Sequence, residues 1–193
     1  CAEMAGIKFF VTGGIGGVHR GVEDTMDISA DLDELGKTDV AVICAGAKSI
    51  LDLDRTMEYL ETKGVPVIGY KTDVLPAFFT RTSDIKLNTT ADSTEEIASI
   101  IKAKHDLELG GGTVIANPIL ESDELPKEYI DQIVMEAVQE AEEKGIGGKD
   151  STPFLLGKIV EKTEGKSLET NIKLVYNNAK VGTQIAVDYF NKQ

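Results

Sequence analysis

Lys48 is the residue of this chain best placed to act as a nucleophile. It closes the stretch Val42-Ile43-Cys44-Ala45-Gly46-Ala47-Lys48, in which an apolar run ends in small residues that leave room for a ligand. A helix is expected to open at Ser49, which would set the amine at the positive end of that helix, where the ammonium form is disfavoured. A neutral lysine amine attacks a carbonyl carbon and forms a Schiff base. A solvated turn lysine is the other reading, and the residue alone does not separate the two.

Two further groups carry chemistry. Thr12-Gly13-Gly14-Ile15-Gly16-Gly17-Val18-His19-Arg20 follows a strand-like run, and glycines there free backbone N–H groups to approach an anion. Its spacing is not G-x-G-x-x-G and no amphipathic helix opens directly after it, which disfavours a dinucleotide-binding oxidoreductase domain. A phosphate or sugar loop fits better, because His19 and Arg20 can donate to oxygens; a tight structural turn is the alternative. Glu23-Asp24-Thr25-Met26-Asp27-Ile28-Ser29-Ala30-Asp31 sets carboxylates and hydroxyls on irregular backbone, which suits a hard cation that keeps several waters, or a solvated loop that caps a helix. Its spacing is not that of an EF-hand. Asn171, Asn177, Asn178 and His105 fall in helical stretches, and propensity assigns them no role.

These residues need a scaffold, and the periodicity supplies one. Strands are expected at Ile7–Thr12, Asp39–Ala45, Val65–Tyr70 and Thr113–Ala116, with a short edge strand at Ile85–Asn88. Helices are expected at Ala30–Gly36 with Ser29 as cap, at Ser49–Thr62, from the capping box Ser93-Thr94-Glu95-Glu96 to about Asp106, and at Pro126–Lys144. Two more open at Ser151-Thr152-Pro153 and span Ser167–Tyr189. Leu75–Phe79 contains Pro76 and reads as loop. Strands alternating with helices argue for an α/β layer fold with a largely parallel or mixed sheet, in a single domain over residues 1–193.

Composition limits the partners. With 33 acidic against 20 basic residues and a formal net charge of −13, the surface repels polymeric nucleic acid and anionic membranes at long range. A phosphorylated small molecule would need a local cluster of donors. The two cysteines, Cys1 and Cys44, form no disulfide framework, so a reducing, cytoplasmic setting is expected. No apolar stretch approaches a membrane span and no signal-peptide pattern is present. The first residue is Cys1 and a strand follows almost at once, so truncation or processing upstream is expected.

In order along the chain, Thr12–Arg20, Asp27–Leu32, Cys44–Asp52, Gly64–Tyr70, Leu75–Phe79, Ala116–Ile119, Ser151–Leu156 and Asn171–Asn178 resemble the pseudouridine-5′-phosphate glycosidase family, also described as pseudouridylate synthase or indigoidine synthase A-like. The resemblance covers essentially the whole chain but only the larger, C-terminal part of the family. The family's N-terminal segment, with the glutamate taken as general acid and a substrate-binding lysine, has no counterpart in the residues given.

The resemblance implies a three-layer α/β/α subunit, a homotrimer, and reversible cleavage of pseudouridine 5′-phosphate to uracil and ribose 5-phosphate, a glycosidase reaction of the hydrolase or lyase type. It makes Lys48 the nucleophile and Asp27 the residue that holds Mn²⁺, largely through waters. Ser29, Ala30 and Asp31 fall at the substrate-contacting triplet, and Thr12, His19 and Asn171 at the same pocket. Because the bond is carbon–carbon, departure of the base is hard, and covalent attachment of C1′ to a lysine divides the difficulty into two smaller steps. An inactive fragment or scaffold of the same fold, lacking the acid, is the alternative.

Overall fold

The computed structural model describes residues 1–192, with Lys149 by its backbone alone. The apolar runs become β1 (Phe9–Val11), β2 (Ala41–Cys44), β3 (Val67–Tyr70), β4 (Thr89–Ala91) and β5 (Thr113–Ala116). They form one five-stranded sheet in the order β1-β2-β5-β3-β4, and every pairing is parallel. β2 and β5 occupy inner positions and are buried at all four residues, as strands covered on both faces must be.

Around the sheet lie α1 (Val22–Thr25), α2 (Ala30–Lys37), α3 (Leu53–Thr62), α4 (Thr94–Asp106), α5 (Lys127–Glu143), α6 (Ser151–Lys162) and α7 (Lys166–Phe190). The two-residue period of the strands divides the core. Val42, Cys44, Val114 and Ala116 join Leu32 and Leu35 of α2, Leu60 of α3, Ile130 of α5 and Ile159 of α6 on one face. Ala41, Ile43 and Ile115 point the other way and meet Ile97, Ala98 and Ile101 of α4 and Ile185 and Tyr189 of α7. The chain returns from β4 into the slot between β2 and β3, reversing its direction across the sheet; a right-handed crossover then puts α4 on the face opposite α2 and α3. The result is the three-layer α/β/α arrangement, now with a wholly parallel sheet. Among the described residues no helix is long and apolar enough to cross a membrane.

The capping residues act as the sequence suggests. The Ser29 hydroxyl accepts from the Asp31 N–H at the start of α2, and the Ser93 hydroxyl from the Glu96 N–H at the start of α4. α7 has 25 residues, about 37 Å at a helical rise, whereas a four-residue strand spans roughly 13 Å. It must therefore overhang the sheet, and its N-terminal half stands at the carboxyl ends of β1 and β2.

Two expectations are corrected. The helix after Lys48 begins at Leu53, not Ser49, because the Asp52 carboxylate caps it through the Arg55 N–H at 3.0 Å while the Asp52 N–H is drawn to the Val18 carbonyl at 2.9 Å. Ile50 and Leu51 enter the core from a turn. Residues 85–88 are not the edge strand. They pair locally with residues 73–75, Leu87 N–H to the Asp73 carbonyl and Leu75 N–H to the Ile85 carbonyl, both at 2.9 Å, and the edge is Thr89–Ala91.

Candidate active site

Beyond β1 and β2 the chain does not splay. The Ala45 N–H donates to the Gly13 carbonyl at 2.8 Å, the Ile15 N–H to the Gly46 carbonyl at 3.1 Å, and the Lys48 N–H to the Ile15 carbonyl at 3.2 Å. These bonds carry the parallel register past the strand ends and hold Lys48 at the carboxyl edge of the sheet, where parallel α/β folds place their ligands. Gly46 makes this possible. Its φ is +81°, and a Cβ there would lie 2.0 Å from the Pro76 carbonyl oxygen.

Lys48 lies on the shared wall of two adjoining clefts. One, of about 540 Å³, is lined by Thr12, Gly14, Lys48, Phe78, Phe79 and Asn171 among others. The second, of about 430 Å³, has Thr12, Gly14 and Lys48 in common with it and adds Asp31 and Glu34. Lys48 is half-buried, and among the described residues no carboxylate forms an ion pair with it. Because the helix starts at Leu53, its positive end is not at Lys48, and the environment of the amine is set by these clefts instead.

Much of the glycine loop's backbone is tied into the fold. The Gly16 N–H donates to Asp31 Oδ2 at 2.8 Å, the Val18 N–H to the Thr56 hydroxyl at 2.9 Å and the His19 N–H to the Asp27 carbonyl at 3.0 Å. With the Ile15 N–H bound to Gly46, these four amides are engaged within the fold, while Gly14 lines both clefts. The glycines serve close packing: a Cβ on Gly14 would lie 2.6 Å from the Phe78 ring and one on Gly16 2.2 Å from the Ser29 hydroxyl.

The other sequence-derived residues form a second group. Val18 pairs antiparallel with Ile28, which puts His19 beside Asp27, with Nδ1 3.9 Å from Oδ2. That distance is an ionic approach, not a hydrogen bond. Ser29 and Asp31 brace Gly16, and Ala30 is exposed at the first turn of α2. Thr12, Asp31, Lys48 and Asn171 thus reach the two clefts, whereas His19, Asp27, Ser29 and Ala30 lie outside both linings. Glu23 belongs to neither group. Its hydrogen bond with Arg55 holds its carboxyl below the ordinary range and ties α1 to α3.

Among the described residues no cluster of three or more His, Cys, Asp or Glu is placed to enclose a metal ion. A cation caged by protein does not fit, but one that keeps most of its waters needs a single accessible carboxylate oxygen, and Asp27, with 28% side-chain exposure, supplies it. Cys44 is no competitor for Lys48 as nucleophile. Burial pushes its thiol up to about 12, and it packs as an apolar residue.

Sequence reasoning missed two parts of the site. One is the apolar wall of Phe78, Phe79, Leu156, Val160, Leu168 and Val175. Phe78 has φ +64°, an outlier for a bulky side chain and of a kind that gathers at functional sites. Its N–H donates to the Ala45 carbonyl at 3.0 Å, and its ring meets Phe79 edge-on at 4.7 Å between centroids. The proline and paired aromatics of Leu75–Phe79 were the only available signal. The other is Asn178, fully buried, whose Nδ2 donates to the Thr12 carbonyl at 2.9 Å and whose Oδ1 accepts from Asn117 Nδ2 at 2.8 Å. Asn178→Ala would leave these groups unpaired, and a loss of about 3 kcal/mol is expected. That corresponds to a Tm lower by about 10 °C in a domain of this size, checked by scanning calorimetry.

Comparison with known proteins follows this geometry. A family model described as "Indigoidine synthase A like protein" matches residues 1–188. The pseudouridine-5′-phosphate glycosidase of Glaesserella parasuis serovar 5 (strain SH0165) is 69% identical over 190 residues, 98% of this chain and 63% of the relative. That of Staphylococcus aureus (strain MW2) is 68% identical over 187 residues, covering 97% and 61%. Among solved structures, the prealnumycin C-glycosynthase AlnA in complex with ribulose 5-phosphate superposes with a TM-score of 0.91 at 38% identity, over 97% of this chain and 62% of that one. An indigoidine synthase A-like protein from Thermotoga maritima MSB8 gives 0.86 at 34% identity, over 100% and 62%. The chain spans about three fifths of the length of these relatives.

Proposed function

The chain belongs to the indigoidine synthase A like protein family, and from that membership we propose that the protein cleaves and forms the C–C glycosidic bond of pseudouridine 5′-phosphate, with Lys48 as covalent nucleophile. The observation that carries the reading is Lys48 on the wall common to two clefts at the carboxyl edge of the sheet, without an acidic partner among the described residues. The 69% identity to a named glycosidase over 98% of the chain supports the substrate.

The chemistry follows from the bond. The Lys48 amine attacks C1′ as the C1′–O4′ bond breaks, and the proton lost from nitrogen ends on O4′, so that C1′ of the opened sugar carries both the Lys48 nitrogen and uracil C5. A proton delivered to C5 makes the base a leaving group, and the nitrogen lone pair then expels it as the C5–C1′ bond breaks, leaving an iminium at C1′. Water adds to C1′, Lys48 departs as an amine, and ribose 5-phosphate is released. In reverse, the amine condenses with the aldehyde carbon with loss of water, and C5 attacks the iminium. The acid at C5 is assigned to the family segment outside the matched stretch. Thr12 and Asn171 face the sugar, and Ser29, Ala30 and Asp31 form the contact triplet, with Asp31 also holding Gly16. Asp27 would hold a Mn²⁺ ion, which would supply positive charge for substrate oxygens. The homotrimer and a cytoplasmic setting belong to the same reading.

Incubation of the full-length protein with pseudouridine 5′-phosphate and Mn²⁺ tests it, with release of uracil followed by chromatography. Absence of uracil in the folded, metal-loaded protein sinks the activity. The metal role is checked separately: Asp27→Ala is expected to weaken Mn²⁺ binding at least about tenfold, the lower end of what even an outer-shell loss costs. Unchanged affinity by titration would remove Asp27 from that role.

A further inference from the structure

A third cleft, of about 410 Å³, opens at the carboxyl ends of β3 and β5 and shares no lining residue with the two that hold Lys48. We propose that it is a second anion site, built to take a phosphate monoester.

Charge is the first argument. Lys71 after β3, Arg81 in the following loop and Lys180 on α7 converge on this cleft, and no aspartate or glutamate lines it. In a chain with 33 acidic and 20 basic residues that segregation is against the overall field. Among the described residues none of the three side chains is in an ion pair; the nearby Glu124 carboxylate accepts from the Arg81 backbone N–H at 3.1 Å. Like charges gathered without a counter-ion repel one another, and an anion relieves this.

Construction is the second argument. The Arg81 guanidinium is fixed by Nη1 donating to the Ile119 carbonyl at 2.7 Å, which leaves further N–H donors of the fork for a ligand. Lys71 is held at φ +54°, an uncommon conformation for a lysine, with its ammonium 5.2 Å from the centroid of the Tyr70 ring. Thr94, buried at the first turn of α4, adds a hydroxyl to the cleft wall. Tyr70, Pro118 and Leu120 complete it with apolar surface, suited to the body of a small phosphorylated metabolite.

The site is also connected. Asn117 lines it and donates to Asn178, which in turn donates to the Thr12 carbonyl beside Lys48. An anion there bears, through two buried side chains, on the backbone of the first site.

The test uses the full-length protein and inorganic phosphate, followed by equilibrium dialysis. Lys71→Gln/Lys180→Gln, at two exposed positions, and separately Arg81→Lys are expected to weaken one class of phosphate site at least tenfold with unchanged melting curves. Lys48→Ala is expected to retain that class. The proposal is overturned if both sets of variants bind phosphate like the wild type, or if the wild type shows no class of site that survives Lys48→Ala. Neither outcome touches uracil release, so the two readings fail independently.

Discussion

Lys48→Ala and Lys48→Arg in the full-length protein are both expected to lower uracil release by about 10⁴-fold or more, the range that follows loss of a covalent nucleophile. Lys48→Arg is the sharper variant. It keeps a long basic side chain between the two clefts, but a guanidinium stays protonated and cannot condense with C1′. Substrate affinity should therefore change little while turnover collapses. Borohydride reduction in the presence of ribose 5-phosphate supplies the direct readout, a sugar adduct on the Lys48 peptide in the wild type and none in either variant. An adduct confined to another lysine, or activity in Lys48→Arg within tenfold of wild type, ends the assignment.

Gly46→Ala should be nearly as damaging, although Gly46 donates no side chain to the chemistry. A non-glycine residue at φ +81° is strained by about 1–2 kcal/mol from the backbone alone. The added Cβ would also stand 2.0 Å from the Pro76 carbonyl oxygen, which is main chain and cannot rotate aside. The turn or the 76–78 segment must move, and Lys48 is two residues away. Displacement of a reacting group by about 1 Å costs on the order of 10²-fold in rate. The expected result is a Tm lower by several degrees, at about 2–4 °C per kcal/mol, with a further rate loss of about 10²-fold in the protein that remains folded. A Gly46→Ala protein with wild-type rate at a temperature well below its Tm would show that the turn does not position the amine.

Much of the scaffold was legible because it depends on local patterns. The inner strands β2 and β5 are apolar but for Thr113, and a run of that kind has few other stable placements. Ser29 and Ser93 cap their helices as their side-chain chemistry requires. The failures have a common cause. Asp52 ended the expected helix early because its N–H pairs with Val18, a residue 34 positions earlier, and Leu87 left the sheet because loop 73–75 was there to pair with it. Neither pairing follows from the pattern within either partner's own segment, because each depends on where a second segment packs.

The site divides in the same way. Residue types and their order were enough to single out Lys48, the Gly13–Gly17 turn and the acidic run from Glu23 to Asp31, because the reactivity of an amine or a carboxylate belongs to the side chain. They also placed Lys48 after a strand-like run that ends in small residues. Tertiary structure alone decided that Lys48 stands between two clefts rather than at a helix end, and that the Ile15, Gly16, Val18 and His19 amides of the glycine loop are bound within the fold. It alone brought Asn178 from α7 to the carbonyl of Thr12, 166 residues away. The reason is physical: a side chain's chemistry is local, but its solvent, its neighbours and the partners of its backbone are fixed by packing between segments distant in the chain.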